Sequence, residues 1–140
     1  MRALGELSKA LLLRSALFAV LLFACLEWFQ GSVNYVFLGV TVLVVVVMHE
    51  SLHMVGMEVV GTKHAETFKA LAVGYATMGV ESNGRILLSV LAPFVVMFPL
   101  GGFLALSSFP AFAAVGWSII AMHVCLLPIE LGTIRAASSE

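Results

Sequence analysis

Long, uninterrupted runs of apolar residues restrict the fold of this chain more than any other feature. Hydrophobic residues make up 61% of its 140 residues and charged residues only 11%, whereas soluble domains carry roughly 25% charged residues. A helix needs about 20 apolar residues to cross a bilayer. Four runs approach or exceed that length, over residues 10–29, 34–56, 86–107 and 111–131. The sequence therefore predicts an all-α membrane protein with about four transmembrane helices in a single domain, residues 1–140.

Residues 57–85 lie between the second and third runs and are too polar to form another span. The core of this stretch, "FKALAVGYATMGVES", contains many small residues and lacks a clear helical period. Glycines commonly mark turns between short strands. The pattern predicts a short hairpin or re-entrant segment that turns near Gly74 and Tyr75.

The positions of the basic residues predict the orientation of the spans. Lys and Arg occur before or at the start of the first span, between the second and third spans, and after the fourth: Arg2, Lys9, Arg14, Lys63, Lys69, Arg85 and Arg135. By the positive-inside rule, both termini and the long central connection are cytoplasmic. Arg14 is close enough to the end of its span to extend its charge to the interface.

The charged residues also bear on the nature of the N-terminal segment and on the possible functions of the chain. The basic start followed by "SALFAVLLFAC" would also suit a signal peptide, although we favour an uncleaved first helix. The net charge is −1, and nucleic-acid binding, which requires a clustered basic face, is not indicated. All eight acidic residues are glutamates, so any carboxylate chemistry must use Glu.

The second span carries the sequence HESLH, residues 49–53, directly after a run of valines. Positions i and i+4 of a helix lie on the same face, so His49 and His53 can bind one zinc ion. Glu50 can then take a proton from the attacking water and pass it to the leaving nitrogen. Ionisable side chains within a span are costly and usually functional. The motif predicts hydrolysis, with Glu50 as the catalytic base.

A catalytic zinc site of this kind needs a third protein ligand, and two residues of the fourth span could supply it. Glu130 and His123 lie at similar depths in the membrane to the two motif histidines, so depth does not choose between them. Pro128 disturbs the helix before Glu130, and Gly132 permits a close approach or a helix end after it. We favour Glu130 as the ligand, with His123 as the alternative or as a hydrogen-bonded neighbour.

The order of these motifs resembles that of a small prokaryotic family of membrane proteins, the putative zincin peptidases. The resemblance covers residues 34–131 and includes "ESNGRILLSVLAPFVVMFPL", with Asn83 followed by Ala92 and Pro93. The chain is more distantly similar to site-2 protease intramembrane metalloproteases, which carry an Asp in a later LDG motif. In "LLPIELG", Glu130 would take the place of that Asp. This similarity also implies a β-hairpin near residues 68–80.

Together, the motif and the resemblance imply a zinc-dependent metallopeptidase of the prokaryotic plasma membrane. Its expected partners are the lipid bilayer and a membrane protein or peptide substrate, which Asn83 could contact if it is more than a turn residue. Three other functions remain open: a non-catalytic metal-binding scaffold, a transporter, and a hydrolase acting on a lipid or another small amphiphile. A transporter would need a polar route on both sides of its site, and the outer halves of the second and fourth spans offer little beyond Thr41 and Ser118.

Overall fold

A computed structural model describes residues 2–60, 64–69, 72–77 and 83–137, and the side chains of residues 12–59, 87–88 and 90–132. These residues form four α-helices and one two-stranded sheet. In chain order the elements are α1 (Arg2–Gln30), α2 (Tyr35–Val60), β1 (His64–Lys69), β2 (Ala72–Thr77), α3 (Asn83–Ala105) and α4 (Pro110–Ala137). The predicted helical architecture, with a hairpin between the second and third helices, is confirmed.

Three of the helices are long and apolar enough to cross a membrane. Their apolar stretches are Leu12–Gln30, Tyr35–Val59 and Pro110–Gly132, whereas the apolar stretch described in α3, Val90–Ala105, is shorter. Helices satisfy their backbone hydrogen bonds internally, which a chain surrounded by lipid requires. These features indicate a membrane protein, and the role of α3 as a fourth span remains a prediction.

The connection between α1 and α2 is short and capped at both ends. Gly31 adopts a φ of 65°, a conformation that favours glycine after a helix, and its amide donates to the Glu27 carbonyl at 2.9 Å. Asn34 Oδ1 accepts hydrogen bonds from the amides of Val36 and Phe37 at 3.1 Å each, which is the pattern of a helix N-cap. The two caps define where the first helix ends and where the second begins.

The helices α2 and α4 continue several residues past the C-terminal ends of their predicted spans. The helix α2 continues through Gly56 to Val60, so the HESLH segment lies inside the helix and does not end it. The helix α4 continues through Gly132 to Ala137, and a Cβ atom added at Gly132 would meet no described atom within 4 Å. The prediction of a helix end or a close approach at Gly132 was wrong, because a single glycine costs a helix only about 1 kcal/mol.

The helices α3 and α4 approach each other closely at Gly116 of α4. A Cβ atom there would lie 2.2 Å from the backbone nitrogen of Ala105 and 2.5 Å from the carbonyl oxygen of Gly101, both on α3. Small residues at helix crossings let backbones approach closely in membrane proteins. The contact joins α3 firmly to α4, which also packs against α1.

The hydrophobic core lies along the helix α4, where the other helices meet. The buried apolar side chains of this core are Phe18, Leu22 and Leu26 of α1, Val42, Val45 and Val46 of α2, Phe94 and Met97 of α3, and Ala114, Val115, Ile119, Met122 and Leu126 of α4. Six polar or charged side chains are also buried among the described residues: Arg14, His49, His53, Ser118, His123 and Glu130.

The hairpin is antiparallel, but its turn is not where the glycine pattern placed it. Gly74 pairs with Thr67 and Tyr75 pairs with Glu66, so both lie inside β2. The turn prediction near Gly74 and Tyr75 was therefore wrong, because glycine also occurs in strand interiors. The last pair is Lys69 with Ala72, and the residues between them lie outside those described. Both strands contact α1, and β2 also contacts α4.

Candidate metal centre

Two imidazoles of α2 lie one helical turn apart in the interior of the helix bundle. His49 and His53 are each only 1% exposed, and their ring centroids are 4.9 Å apart with the rings nearly perpendicular. The spacing of four residues places both on the face of α2 that is turned toward α3 and α4. The spacing of the motif thus places two possible nitrogen ligands close enough together to bind one ion.

The helix α4 brings a carboxylate to the same point. Glu130 is 2% exposed, and its Oε1 atom lies 3.7 Å from Nε2 of His53. One ligand atom from each of His49, His53 and Glu130 lies within 4.8 Å of the other two. Ligands about 2 Å from a tetrahedral zinc ion are themselves about 3.3 Å apart, so a modest inward movement would let these three hold an ion.

A buried nitrogen of His49 supports this fit. The Nε2 atom of His49 is buried and has no hydrogen-bond partner among the described residues. Buried polar atoms are rarely left without a partner, and a nitrogen with a free lone pair is what a metal ion requires. The donor set of two imidazoles and one carboxylate is one that zinc prefers in catalytic sites.

His123 of α4 contacts His49 and uses both of its ring nitrogens. Its Nδ1 atom lies 2.8 Å from the carbonyl oxygen of Ile119, and its Nε2 atom lies 3.1 Å from Nδ1 of His49. Because a carbonyl can only accept, Nδ1 of His123 donates, which leaves Nε2 to accept a hydrogen bond from Nδ1 of His49. This assignment of hydrogens places the free lone pair of His49 on Nε2, the buried atom that has no hydrogen-bond partner among the described residues.

Two phenylalanines of α3 enclose this pair of histidines. The Phe94 ring lies edge-on to His123, with centroids 5.3 Å apart, and 6.4 Å from the ring of His49. Phe98 lies 5.9 Å from His123. Such an apolar wall strengthens the electrostatic interactions inside it and excludes water from one side of the imidazoles.

Glu50, the residue after His49, lies beside the three possible ligands but is not one of them. Its side chain is 16% exposed, and its Oε1 atom is ion-paired with Nη1 of Arg14. Its Oε2 atom is buried and accepts no hydrogen bond from any described residue. One oxygen of this carboxylate is thus held in place while the other remains available to a proton.

The prediction that Arg14 extends its charge to the interface was wrong. The side chain is 2% exposed and lies between the carboxylates of Glu50 and Glu130, with Nη2 at 2.8 Å from Oε1 of Glu130. Two carboxylates, one from α2 and one from α4, are buried together at this point. Arg14 pairs with them and does not extend to the interface, because unpaired charges are costly to bury. The sequence contains one indication of this pairing, since a basic residue lies inside the first span and acidic residues lie inside the second and fourth.

The remaining predicted residue, Asn83, is the first residue of α3. Its side chain lies outside those described, so its contact with a substrate remains a prediction. Of the predicted site residues, the structure brings together His49, Glu50, His53, Glu130 and His123. Sequence reasoning missed Arg14 as a member of the site.

Comparison with known proteins shows the family of this chain. Residues 42–130 match the model of a family described as "Putative zincin peptidase". Because the match covers more than half of the chain, the protein belongs to this family, as its sequence pattern predicted. The matched region ends at Glu130 and does not include Arg14. No curated protein and no solved structure matches the chain, and its similarity to site-2 proteases remains a prediction.

Proposed function

We propose that this protein is a zinc-dependent metallopeptidase that hydrolyses peptide bonds within or next to membrane segments. The observation that carries the proposal is the convergence of His49, His53 and Glu130 within 4.8 Å, on two separate helices of a bundle. The family to which the chain belongs, described as zincin peptidases, supports the same reaction class. The arrangement of the motif fits an open catalytic site better than a closed structural one, since three protein ligands leave one position free.

His49 and His53 would hold zinc through ring nitrogens, and Glu130 would hold it through a carboxylate oxygen. A bound zinc ion supplies Lewis acidity, which makes water a nucleophile near neutral pH and polarises a carbonyl group. His123 keeps His49 in the tautomer that directs its lone pair to the ion, by accepting the Nδ1 hydrogen at 3.1 Å. Such hydrogen bonds to ligands orient the ring and raise its basicity.

Glu50 serves as the general base. Its Oε2 atom, which has no hydrogen-bond partner among the described residues, accepts a proton from the attacking water and later delivers it to the amide nitrogen that leaves. Arg14 binds the other carboxylate oxygen and thereby prevents the side chain from rotating away. A carboxylate held in this way contributes to catalysis without becoming a metal ligand.

The substrate class follows from the surroundings of the site. The site residues belong to apolar helical stretches that are long enough to span a membrane, so a substrate reaching them is itself membrane-embedded or membrane-adjacent. A helical substrate hides its carbonyl groups in hydrogen bonds and must unwind before water can attack. The hairpin between α2 and α3 offers strand edges on which an unwound segment could pair by main-chain hydrogen bonds.

The proposed location is the prokaryotic plasma membrane, with both termini and the hairpin on the cytoplasmic side. The distribution of Lys and Arg supports this orientation. In the apolar runs 10–29 and 111–131 of the sequence, Arg14 is four residues from the start of the first run and Glu130 is one residue from the end of the last. The site is therefore near the end of the bundle where the termini lie, which is where water has the shortest route to it.

Transport is less well supported by the described side chains. A groove of about 260 Å³ lies between α2, α3 and α4, along the part of α2 that precedes His49. Thr41 is the single polar residue in its lining, among apolar residues such as Phe37, Val44 and Leu104. Ions and polar solutes need polar partners throughout the membrane, so this groove does not provide a conducting route.

The test compares Glu50→Gln with the wild type in zinc binding and in cleavage of transmembrane peptides, followed by mass spectrometry. We expect the variant to retain zinc and to lose cleavage by about 10²-fold to 10⁴-fold, the usual contribution of a general base. Glu58→Gln is the matched control, because Glu58 is an exposed glutamate on the same helix, and it should cleave normally.

Each outcome separates the proposal from an alternative. Normal cleavage by Glu50→Gln would refute the mechanism. Zinc binding by the wild type without any cleavage would favour a scaffold. Hydrolysis of added lipid or another amphiphile, with the peptides left intact, would identify a hydrolase of a different substrate class.

A further inference from the structure

Arg14 is the only lysine or arginine among the residues whose side chains the structure describes. It comes from α1, outside the residues 42–130 that match the family. Its guanidinium nevertheless contacts both acidic side chains of the candidate metal centre, one from α2 and one from α4. The helix α1 therefore completes a site whose other members lie on α2 and α4.

The formal charges of the site show what this cation does. Glu50 and Glu130 carry two negative charges and Arg14 one positive charge, so the site has a net charge of −1 with the histidines counted as neutral ligands. Without Arg14 the net charge would be −2, with both carboxylates in an interior where unpaired charges are strongly disfavoured. A divalent ion would neutralise such a site completely.

We propose that Arg14 is the resident counter-ion of the metal centre, a positioning residue that holds Glu50 and Glu130 together in the metal-free protein and lowers the affinity for zinc. The inference rests on the proposed zinc site but not on peptide cleavage. Arg14 and zinc compete for Glu130, because the Oε1 atom that accepts from Nη2 at 2.8 Å is also the one nearest to His53. Arg14 therefore lowers the affinity for zinc, and it keeps the two carboxylates together when no ion is bound.

The expected effect is large because the two cations would be close. The distance of 2.8 Å from Arg14 to the carboxylate oxygen, extended by a metal–oxygen bond of about 2 Å, places the guanidinium about 5 Å from the ion. At an effective dielectric constant of about 20, repulsion between a unit charge and a divalent ion at this separation changes an affinity by well over tenfold.

The experiment measures the zinc dissociation constant of the full chain in detergent, by competition with a chromophoric chelator. Arg14→Met should bind zinc at least about tenfold more tightly than the wild type. Arg14→Lys keeps the charge and should remain within about threefold of the wild type. Glu27→Gln changes an exposed acid on the same helix and should have no effect.

If Arg14→Met alone does not fold, a second pair of variants measures the same effect of Arg14 on zinc affinity. The double variant Arg14→Met with Glu50→Gln has the wild-type net charge of the site, and Glu50→Gln alone differs from it only by the presence of Arg14. The double variant should bind zinc about tenfold or more tightly than Glu50→Gln.

The results that would overturn the inference are distinct from those that would overturn the proposed function. If the loss of Arg14 leaves zinc affinity unchanged or weakens it in both backgrounds, Arg14 does not compete with the ion. If Arg14→Lys tightens binding as much as Arg14→Met, charge is not the cause. If the wild type and all variants bind no zinc, the proposed metal site fails, and this inference fails with it.

Discussion

Replacement of His123 by leucine tests how the structure sets the tautomer of His49. The hydrogen bond of 3.1 Å between the two rings would be lost, and leucine offers no acceptor in its place. A buried donor without a partner costs about 1–3 kcal/mol, and loss of a hydrogen bond to a metal ligand weakens binding about 10-fold to 100-fold. Because a tenfold change in affinity corresponds to about 1.4 kcal/mol, the loss of zinc-binding free energy is about 1.4–2.8 kcal/mol, separate from the folding cost of the unpaired donor.

The assay is a chelator-competition titration of zinc with His123→Leu, Glu130→Ala and the control Ser118→Ala. Ser118 is also buried on α4, and its hydroxyl donates to the Ala114 carbonyl at 2.7 Å, so its loss perturbs the helix without touching the site. We expect no change for the control, weakened binding for His123→Leu and the greatest loss for Glu130→Ala. Equal loss in the last two would make His123 a ligand, and wild-type affinity in His123→Leu would show that the hydrogen bond does not matter.

Three further predictions concern the fold. Gly116→Ala places a methyl group 2.2 Å from the Ala105 nitrogen and should lower the thermal unfolding temperature in detergent markedly, whereas Gly102→Ala, where a Cβ meets no described atom within 4 Å, should not. Met97→Ala empties a fully buried position and should destabilise the protein by about 2–5 kcal/mol in reversible unfolding. Reporter fusions at the two termini should both be active in the cytoplasm, and an external location of either one would reverse the predicted topology.

The sequence led directly to the residues that the structure brings together from α2 and α4, for a simple physical reason. The spacing of His49 and His53 is a property of the helix itself and needs no tertiary information. The third position was limited to two residues by the small number of polar groups in the apolar spans. The contacts favour Glu130 as the proposed ligand, since it lies 3.7 Å from His53, whereas the ring nitrogens of His123 lie against His49 and the Ile119 carbonyl.

The role of Arg14 could not be read in the same way, because it depends on three helices that are far apart in the sequence. Its nearest expected partner was the membrane interface, and its actual partners are 36 and 116 residues away. The position of the hairpin turn escaped prediction for a related reason. Strand register is fixed by pairing along the whole hairpin, and the glycine that marked a turn pairs with Thr67 inside it.

The most direct test of the account is a structure of the zinc-loaded protein, with the ion located by anomalous scattering at the zinc edge. The account predicts one zinc ion bonded at about 2.0–2.2 Å to nitrogens of His49 and His53 and to an oxygen of Glu130, with His123 hydrogen-bonded to His49 and Glu50 next to the open position. An ion bound to His123 directly, an ion held without any residue of α4, or no ion at these histidines would contradict it.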